Sequence, residues 1–125
     1  MSGRKRILVV DDDRGMVETL CDILELHGWE TVRGYDGEAA VTLADEHEVD
    51  LLLMDIRMPR LNGVDAWREI RARREGAQAV LMTAYAPQDT VTQAEGQGVV
   101  RVLRKPLDLP QLVALLDDVR KQSPN

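Results

Sequence analysis

Ile7-Leu8-Val9-Val10-Asp11-Asp12 is the stretch of sequence that decides the fold. A short run of apolar, mostly β-branched residues is typical of a strand that is covered on both faces, as in a parallel sheet. The run ends directly on carboxylates, so charged side chains follow a buried strand. We therefore predict a central parallel strand at 7–10 with acidic side chains at its carboxyl end.

The same arrangement recurs further along the chain. Leu51-Leu52-Leu53-Met54 leads into Asp55, and Ala79-Val80-Leu81-Met82 leads into Thr83. The carboxyl ends of parallel strands lie at one edge of a sheet, where open α/β folds bind their ligands. The side chains that follow these runs are therefore expected to face one crevice.

Segments with helical periodicity alternate with these strands. Asp13 is a plausible N-cap of the first helix, and Cys21 lies on its apolar face, where we expect it to be part of the core. Five alternations of strand and helix call for a doubly wound α/β fold, a parallel sheet with helices on both faces and right-handed crossovers. The predicted helices are 14–27, a segment opened by Asp36-Gly37, a segment following Asn62-Gly63, 87–97 and 108–121, and the weaker strands are 30–35, at an edge, and 99–103.

Composition limits the possible function classes. A length of 125 residues with 44% apolar content suits one domain, 1–125, with a core at about 5–121 between a basic lead-in and a frayed tail. A net charge of -6 argues against direct binding of nucleic acid. Neither a signal peptide nor the roughly 18 to 20 apolar residues of a membrane span is present, so we expect no membrane association and a cytoplasmic location.

The acidic residues at the strand ends indicate a cation. Two carboxylates about 4 Å apart repel by roughly 4 kcal/mol at an effective dielectric near 20, so Asp11, Asp12 and Asp55 together require protonation, a lysine or a metal. Of these three ways to relieve the repulsion, a hard divalent cation fits the sequence best. Mg²⁺ prefers oxygen ligands and commonly joins carboxylates to a phosphate, whereas the chain has no His or Cys at zinc-ligand spacing.

These groups also suit phosphoryl transfer to a carboxylate. Asp55 could attack phosphorus to form an aspartyl-phosphate, a step that needs charge neutralisation rather than a strong base. Lys105, aimed by the Lys105-Pro106 step, would pair with one phosphoryl oxygen and the metal with another. The Thr83 hydroxyl and the backbone N–H of Ala84 could hold the third oxygen.

With these motifs the sequence resembles the response-regulator receiver domains of two-component signalling. The match covers essentially the whole chain, and four motifs in the right order make it specific. The residues that carry it are Ile7 to Asp12, Met54 to Pro59 with Asn62-Gly63, Thr83-Ala84, and Lys105-Pro106.

The resemblance implies a flavodoxin-like sheet of strand order 2-1-3-4-5, with Asp55 as the phospho-acceptor. It further implies that Asp11 and Asp12 organise Mg²⁺, with Asp12 a direct ligand, and that the Arg57 main-chain carbonyl is another ligand. Thr83 and Lys105 would then be the pair that transmits the signal. A sensor histidine kinase or phosphotransfer protein would donate the phosphoryl group, and the chain would catalyse only its own phosphorylation and dephosphorylation.

Two features depart from the family pattern. The family usually has Tyr or Phe three residues before the lysine, where this chain has Val102, and the chain contains no Phe. The fourth helix carries no basic residue, so its pattern does not support dimerisation through the fourth and fifth helices. How phosphorylation would reach the surface is therefore left open.

Other interpretations stay beside the leading one. The chain could be an interaction module of receiver fold that works without phosphorylation, or a metal-dependent phosphohydrolase, although no second metal cluster or cap insertion favours the latter. Arg57 and Tyr85 could either tune the phosphate lifetime or be ordinary loop residues. The arginines of 68–74 are expected to form a solvated face, and His27 and His47 to lie at helix ends. The cognate kinase and the output cannot be identified from this sequence.

Overall fold

A computed structural model describes residues 5–85 and 87–122 of the chain, and over these residues five strands alternate with five helices. All neighbouring strands are parallel, in the order β2-β1-β3-β4-β5. This is the predicted doubly wound α/β architecture. The elements are β1 (Arg6–Val10), α1 (Arg14–Leu26), β2 (Glu30–Gly34), α2 (Gly37–His47), β3 (Leu51–Asp55), α3 (Gly63–Arg73), β4 (Gln78–Thr83), α4 (Gln88–Gly96), β5 (Arg101–Arg104) and α5 (Leu109–Gln122).

The sheet separates two apolar layers. Alternate strand residues point to opposite faces, so Leu8 and Leu52 pack with α2, α3 and α4, while Ile7 and Leu53 pack with α1 and α5. β2 lies at an edge, as predicted. The prediction that 7–10 is the central strand was wrong, because β1 lies between β2 and β3 whereas β3 has two strands on each side.

Most of the helices have an N-cap residue whose side chain accepts a hydrogen bond from the first turn. Asp13 accepts a hydrogen bond from the Met16 N–H, and Asp36 accepts one from the Ala39 N–H. Asn62 caps α3 in the same way. These bonds satisfy amide groups that a helix leaves free at its first turn, which is why Asp and Asn stand at these positions. Cys21 is fully buried on α1, so its assignment to the core is confirmed.

The last strand begins later than predicted. The chain turns at Gly98, whose φ is +81°, and Val100 donates to the Ala79 carbonyl before the ladder starts at Arg101. β5 is therefore 101–104 instead of 99–103. The lead-in at 1–4 and the tail at 123–125 lie outside the described residues. Among the described helices, none is both long and apolar enough to cross a membrane.

Candidate functional site

The strand register brings the chemically active residues to one edge of the sheet. Asp55 is opposite Met82, so Thr83 lies one residue beyond it on β4. Thr83 in turn is opposite Arg104, and the Lys105 N–H donates to the Thr83 carbonyl at 2.8 Å. Three neighbouring strands thus place their carboxyl ends side by side, as the apolar runs predicted.

Three carboxylates lie together at this edge. One oxygen from each of Asp11, Asp12 and Asp55 lies within 4.8 Å of the other two. Asp11 and Asp55 are buried, with relative exposures of 1% and 5%, whereas Asp12 is exposed. Buried carboxylates lose hydration, so this arrangement needs positive charge nearby.

Lys105 supplies part of that charge. Its ammonium donates to Asp11 Oδ2 at 2.6 Å and to Asp55 Oδ2 at 3.1 Å. The peptide bond between Lys105 and Pro106 is cis. One cation thus bridges two buried carboxylates that come from different strands.

Asp55 and Lys105 each affect the pKa of the other. Burial raises the pKa of Asp55, and hydrogen bonds from Lys105 and from the Arg57 N–H oppose that rise without cancelling it. Burial lowers the pKa of Lys105, but its hydrogen bonds to Asp11 and Asp55 outweigh burial and leave the pKa raised. The lysine is therefore held as an ammonium, and the two buried carboxylates of Asp11 and Asp55 share its single charge.

The donor set fits a hard divalent cation. Lys105 neutralises only part of the charge of the cluster, and each carboxylate has more acceptor positions than its hydrogen bonds occupy. Oxygen donors of this kind are what Mg²⁺ binds, commonly with one or two carboxylates. Asp13 has a different role, since its side chain caps α1 and its N–H donates to Asp11 Oδ1 at 2.9 Å.

Thr83 is placed beside the cluster, but its hydroxyl is engaged elsewhere. The fully buried side chain donates to the Tyr85 carbonyl at 2.9 Å and accepts from the Tyr85 N–H at 3.2 Å. Ala84, the other predicted phosphoryl-binding position, is exposed directly after β4. The structure therefore brings both residues to the correct edge without showing a contact between the Thr83 hydroxyl and Asp55.

The loop after β3 closes the other side of the site. The Arg57 N–H donates to Asp55 Oδ1 at 3.2 Å, and the Arg57 guanidinium lies 5.8 Å from the centre of the Tyr85 ring. Together with Met58, Asn62 and residues of α4, these two side chains line an open groove of about 550 Å³. Sequence analysis identified Arg57 and Tyr85 as flanking residues but did not predict the groove.

A close backbone contact was also missed. The Gly63 N–H donates to the Ile56 carbonyl at 2.8 Å, and a Cβ at Gly63 would lie 2.3 Å from the Asp55 carbonyl oxygen. The first turn of α3 thus rests directly on the backbone at the carboxyl end of β3. The Asn62-Gly63 pair was visible as a motif before the third helix, but the motif does not by itself reveal this contact.

A parallel sheet of this order, with acidic residues and a lysine at its carboxyl edge, defines the class of α/β signalling domains to which the motifs pointed. The chain belongs to the response regulator receiver domain family of two-component systems, and the family's sequence profile matches residues 7–117.

Individual relatives agree with this assignment. A response regulator receiver protein of Anaeromyxobacter sp. strain Fw109-5 is 36% identical over 111 residues, which is 89% of this chain and 47% of that protein. The signal receiver domain of the response regulator NarL from Mycobacterium tuberculosis superposes with a TM-score of 0.87 at 28% identity, covering 97% of this chain and 99% of that one. A chain of the CheX-CheY-BeF3-Mg²⁺ complex from Borrelia burgdorferi does so at 0.84 and 25% identity, covering 92% and 88%. The chain spans about half the length of the first two curated relatives that it matches.

Proposed function

We propose that this receiver domain, taken as one unit over 1–125, accepts a phosphoryl group on Asp55 in a Mg²⁺-dependent reaction and thereby changes its signalling surface. The observation that carries the proposal is the Lys105 ammonium, which bridges the buried carboxylates of Asp11 and Asp55. A carboxylate that is held beside a fixed cation can act as a nucleophile while the charge that develops on phosphorus is neutralised.

The residues have distinct parts in this proposal. Asp11, Asp12, Asp55 and the main-chain carbonyl of Arg57 would hold Mg²⁺, which supplies charge neutralisation to the phosphoryl oxygens. One Asp55 oxygen attacks phosphorus, and the bond from phosphorus to the imidazole nitrogen of a donor phosphohistidine breaks. Lys105 then pairs with a phosphoryl oxygen. Thr83 would leave its bonds to Tyr85 and, with the Ala84 N–H, bind another oxygen.

The donor is a sensor histidine kinase or a phosphotransfer protein. The chain would catalyse only its own phosphorylation and dephosphorylation. In the second step water attacks phosphorus, the bond to the Asp55 oxygen breaks, and inorganic phosphate leaves. We propose a cytoplasmic location and no direct contact with nucleic acid or membrane. The structural similarity to a chain from a complex that contains BeF3 and Mg²⁺ supports this choice of chemistry.

Incubation with acetyl phosphate and Mg²⁺, followed by intact-mass measurement, tests the proposal. Wild type is expected to gain the mass of one phosphoryl group, and Asp55→Asn is expected to gain none. A matched pair tests the metal. Asp12→Asn should raise the Mg²⁺ concentration needed by about tenfold or more, whereas Asp13→Asn should leave it nearly unchanged because Asp13 caps α1.

The alternative function is a phosphorylation-independent interaction module. Two observations favour it, namely the hydrogen bonds of the Thr83 hydroxyl to Tyr85 and the presence of Val102. Wild type that gains no mass under these conditions, while remaining folded, would support this alternative and contradict phosphoryl acceptance.

A further inference from the structure

Val102 leaves β5 without an aromatic ring. The residue is half-buried and packs against the apolar layer that contains Trp67 of α3 and Ala94 of α4. A valine is short and has no polar end, so it cannot form a hydrogen bond that changes with the state of Thr83. A link from Asp55 to the surface therefore has to use other residues.

Trp67 provides a specific contact in this region. Its side chain is buried, with 2% relative exposure, and its Nε1–H donates to the Gln97 carbonyl at 2.8 Å. Arg71, one helical turn later, donates to the same carbonyl. We call this pair of hydrogen bonds the Gln97 clasp. Arg68, Arg71 and Arg73 are exposed, as predicted for a solvated face. Arg71 nevertheless binds the C-cap residue of α4, and the half-buried Arg74 donates to the Val49 carbonyl.

The Gln97 clasp lies at the C-terminal end of α4, where a carbonyl group needs a hydrogen-bond donor. Gln97 is the C-cap of α4, where carbonyl groups lack helical partners and the helix dipole is negative. An indole N–H and a guanidinium satisfy that carbonyl, and the arginine charge complements the dipole. The clasp thus fixes the C-terminal end of α4 to α3.

The rest of α4 is held weakly. Of its residues, all of which are described, only Ala94 is buried, and Pro87 provides no side-chain cap at the N-terminal end. Elements with few buried contacts are those that rearrange at low cost. The end of α4 near Tyr85 is therefore freer to move than the end at Gln97.

The other end of α3 rests on the acceptor strand. Gly63 lies against the Asp55 and Ile56 backbone so closely that no Cβ fits between them. Five residues of α3 are buried, so the helix moves as one body. Trp67 and Arg71 thus lie on the same helix as the residue that contacts the Asp55 backbone.

We infer that α3, through the Gln97 clasp, carries the change at Asp55 to the turn between α4 and β5, in place of an aromatic ring on β5. This inference rests on the proposed function, because it requires a phosphoryl group or its analogue at Asp55. The moving surface is then the turn 97–100, which the clasp holds on one side and the Val100 to Ala79 hydrogen bond holds on the other.

The two tryptophans allow a direct test. The ¹⁵N-labelled chain is titrated with beryllofluoride and Mg²⁺, and the indole N–H resonances of Trp67 and Trp29 are followed by NMR. We expect the Trp67 resonance to move and that of Trp29, which packs against Arg120 of α5, to stay. Neither should move in Asp55→Asn. If the analogue shifts the Lys105 amide while the Trp67 indole stays in place, the inference is overturned.

Amide exchange at Val100 tests the clasp itself. Trp67→Phe removes the N–H but keeps an aromatic ring, and we expect exchange at Val100 to become about fivefold faster and to lose its response to beryllofluoride. Trp29→Phe is the matched control and should respond as wild type. If Trp67→Phe does not fold, Arg71→Gln replaces it with the same expectation. A wild-type response in the clasp variant overturns the inference, and failure of wild type to bind beryllofluoride overturns the proposed function with it.

Discussion

Strands β3 and β5 both lead into the candidate site, but their surroundings differ greatly. All five residues of β3 are buried, whereas β5 has exposed residues at both ends and half-buried residues between them. The helices that follow differ in the same way. α3 buries five residues, and of the described residues of α4 only Ala94 is buried. Asp55, the proposed phospho-acceptor, therefore lies in the more firmly packed of these two regions.

The difference in packing suits the two regions to different parts of the proposed function. Phosphoryl transfer needs groups held in place before the reaction, which the buried β3 side supplies. A signalling surface needs an element that a few kcal/mol can rearrange, which suits the lightly packed α4 and β5. Lys105 connects the β3 side with the α4 and β5 region. It follows β5 in the chain, and its ammonium binds the carboxylates of Asp55 and Asp11.

Truncation of matched leucines is expected to give the largest effect. Leu53 of β3 is fully buried, and Leu103 of β5 is half-buried against the same apolar layer. Leu53→Ala should lower the free energy of unfolding by about 3 to 5 kcal/mol, since it leaves a cavity that cannot collapse. Leu103→Ala should cost about 1 to 2 kcal/mol, because less apolar surface is lost. Urea denaturation measures both values.

Equal losses in the two leucine variants would show that β5 is packed as firmly as β3. In that case β3 and β5 would not differ in packing, and the change in the signalling surface would have to arise outside α4 and β5. Leu53→Ala should also slow acceptance of the phosphoryl group more than Leu103→Ala does, since it loosens the strand that carries Asp55.

Much of this difference could be predicted from the sequence. The continuous apolar runs before Asp11, Asp55 and Thr83 predicted buried strands and a shared edge correctly, because burial on both faces leaves a direct mark on composition. The start of β5 was misplaced, since Val99 and Val100 have strand propensity but precede the ladder. Side-chain pattern alone does not set where an edge strand begins to pair.

The contacts that depend on tertiary distance could not be predicted. The hydrogen bond from Trp67 to Gln97 joins residues that are 30 positions apart, and no local pattern in the sequence connects them. The Thr83 hydroxyl bonds to Tyr85 likewise depend on the path of one loop. By contrast, the placement of Lys105 at the same site as Asp55 was predicted, although the lysine was expected to pair with a phosphoryl oxygen and not with the carboxylate itself.

Glycine-to-alanine substitutions should change the free energy of unfolding by less than the Leu53 substitution does. The change should be a loss in α3 and a gain in α4. Gly63→Ala brings a methyl group against the Asp55 carbonyl and should destabilise the protein by about 1 to 3 kcal/mol. Gly96→Ala meets nothing within 4 Å and replaces a helical glycine in α4, so it should stabilise the protein by up to about 1 kcal/mol. Thermal unfolding of both variants measures the difference. Destabilisation by Gly96→Ala would mean that α4 is more tightly packed than the comparison states.

The smallest expected effect is the pH dependence contributed by Cys21. This thiol lies in the same apolar layer as Leu53, and burial raises its pKa. The unfolded chain releases the proton near pH 8.5, while the folded chain keeps it to higher pH. The thiol's contribution to stability is therefore complete below about pH 8 and is lost as the pH rises above that value, with a limiting slope of about 1.4 kcal/mol per pH unit.

Urea denaturation between pH 7 and 10 should thus show a steeper loss of stability in wild type than in Cys21→Ala. Comparing slopes rather than absolute values removes the constant effect of the missing sulfur. A thiol placed on α4 by Gln93→Cys in the Cys21→Ala background should add almost no slope, since position 93 is exposed and ionises alike in the folded and unfolded chains. Equal slopes at the two positions would show that the α1 layer around Leu53 admits water as readily as the surface of α4.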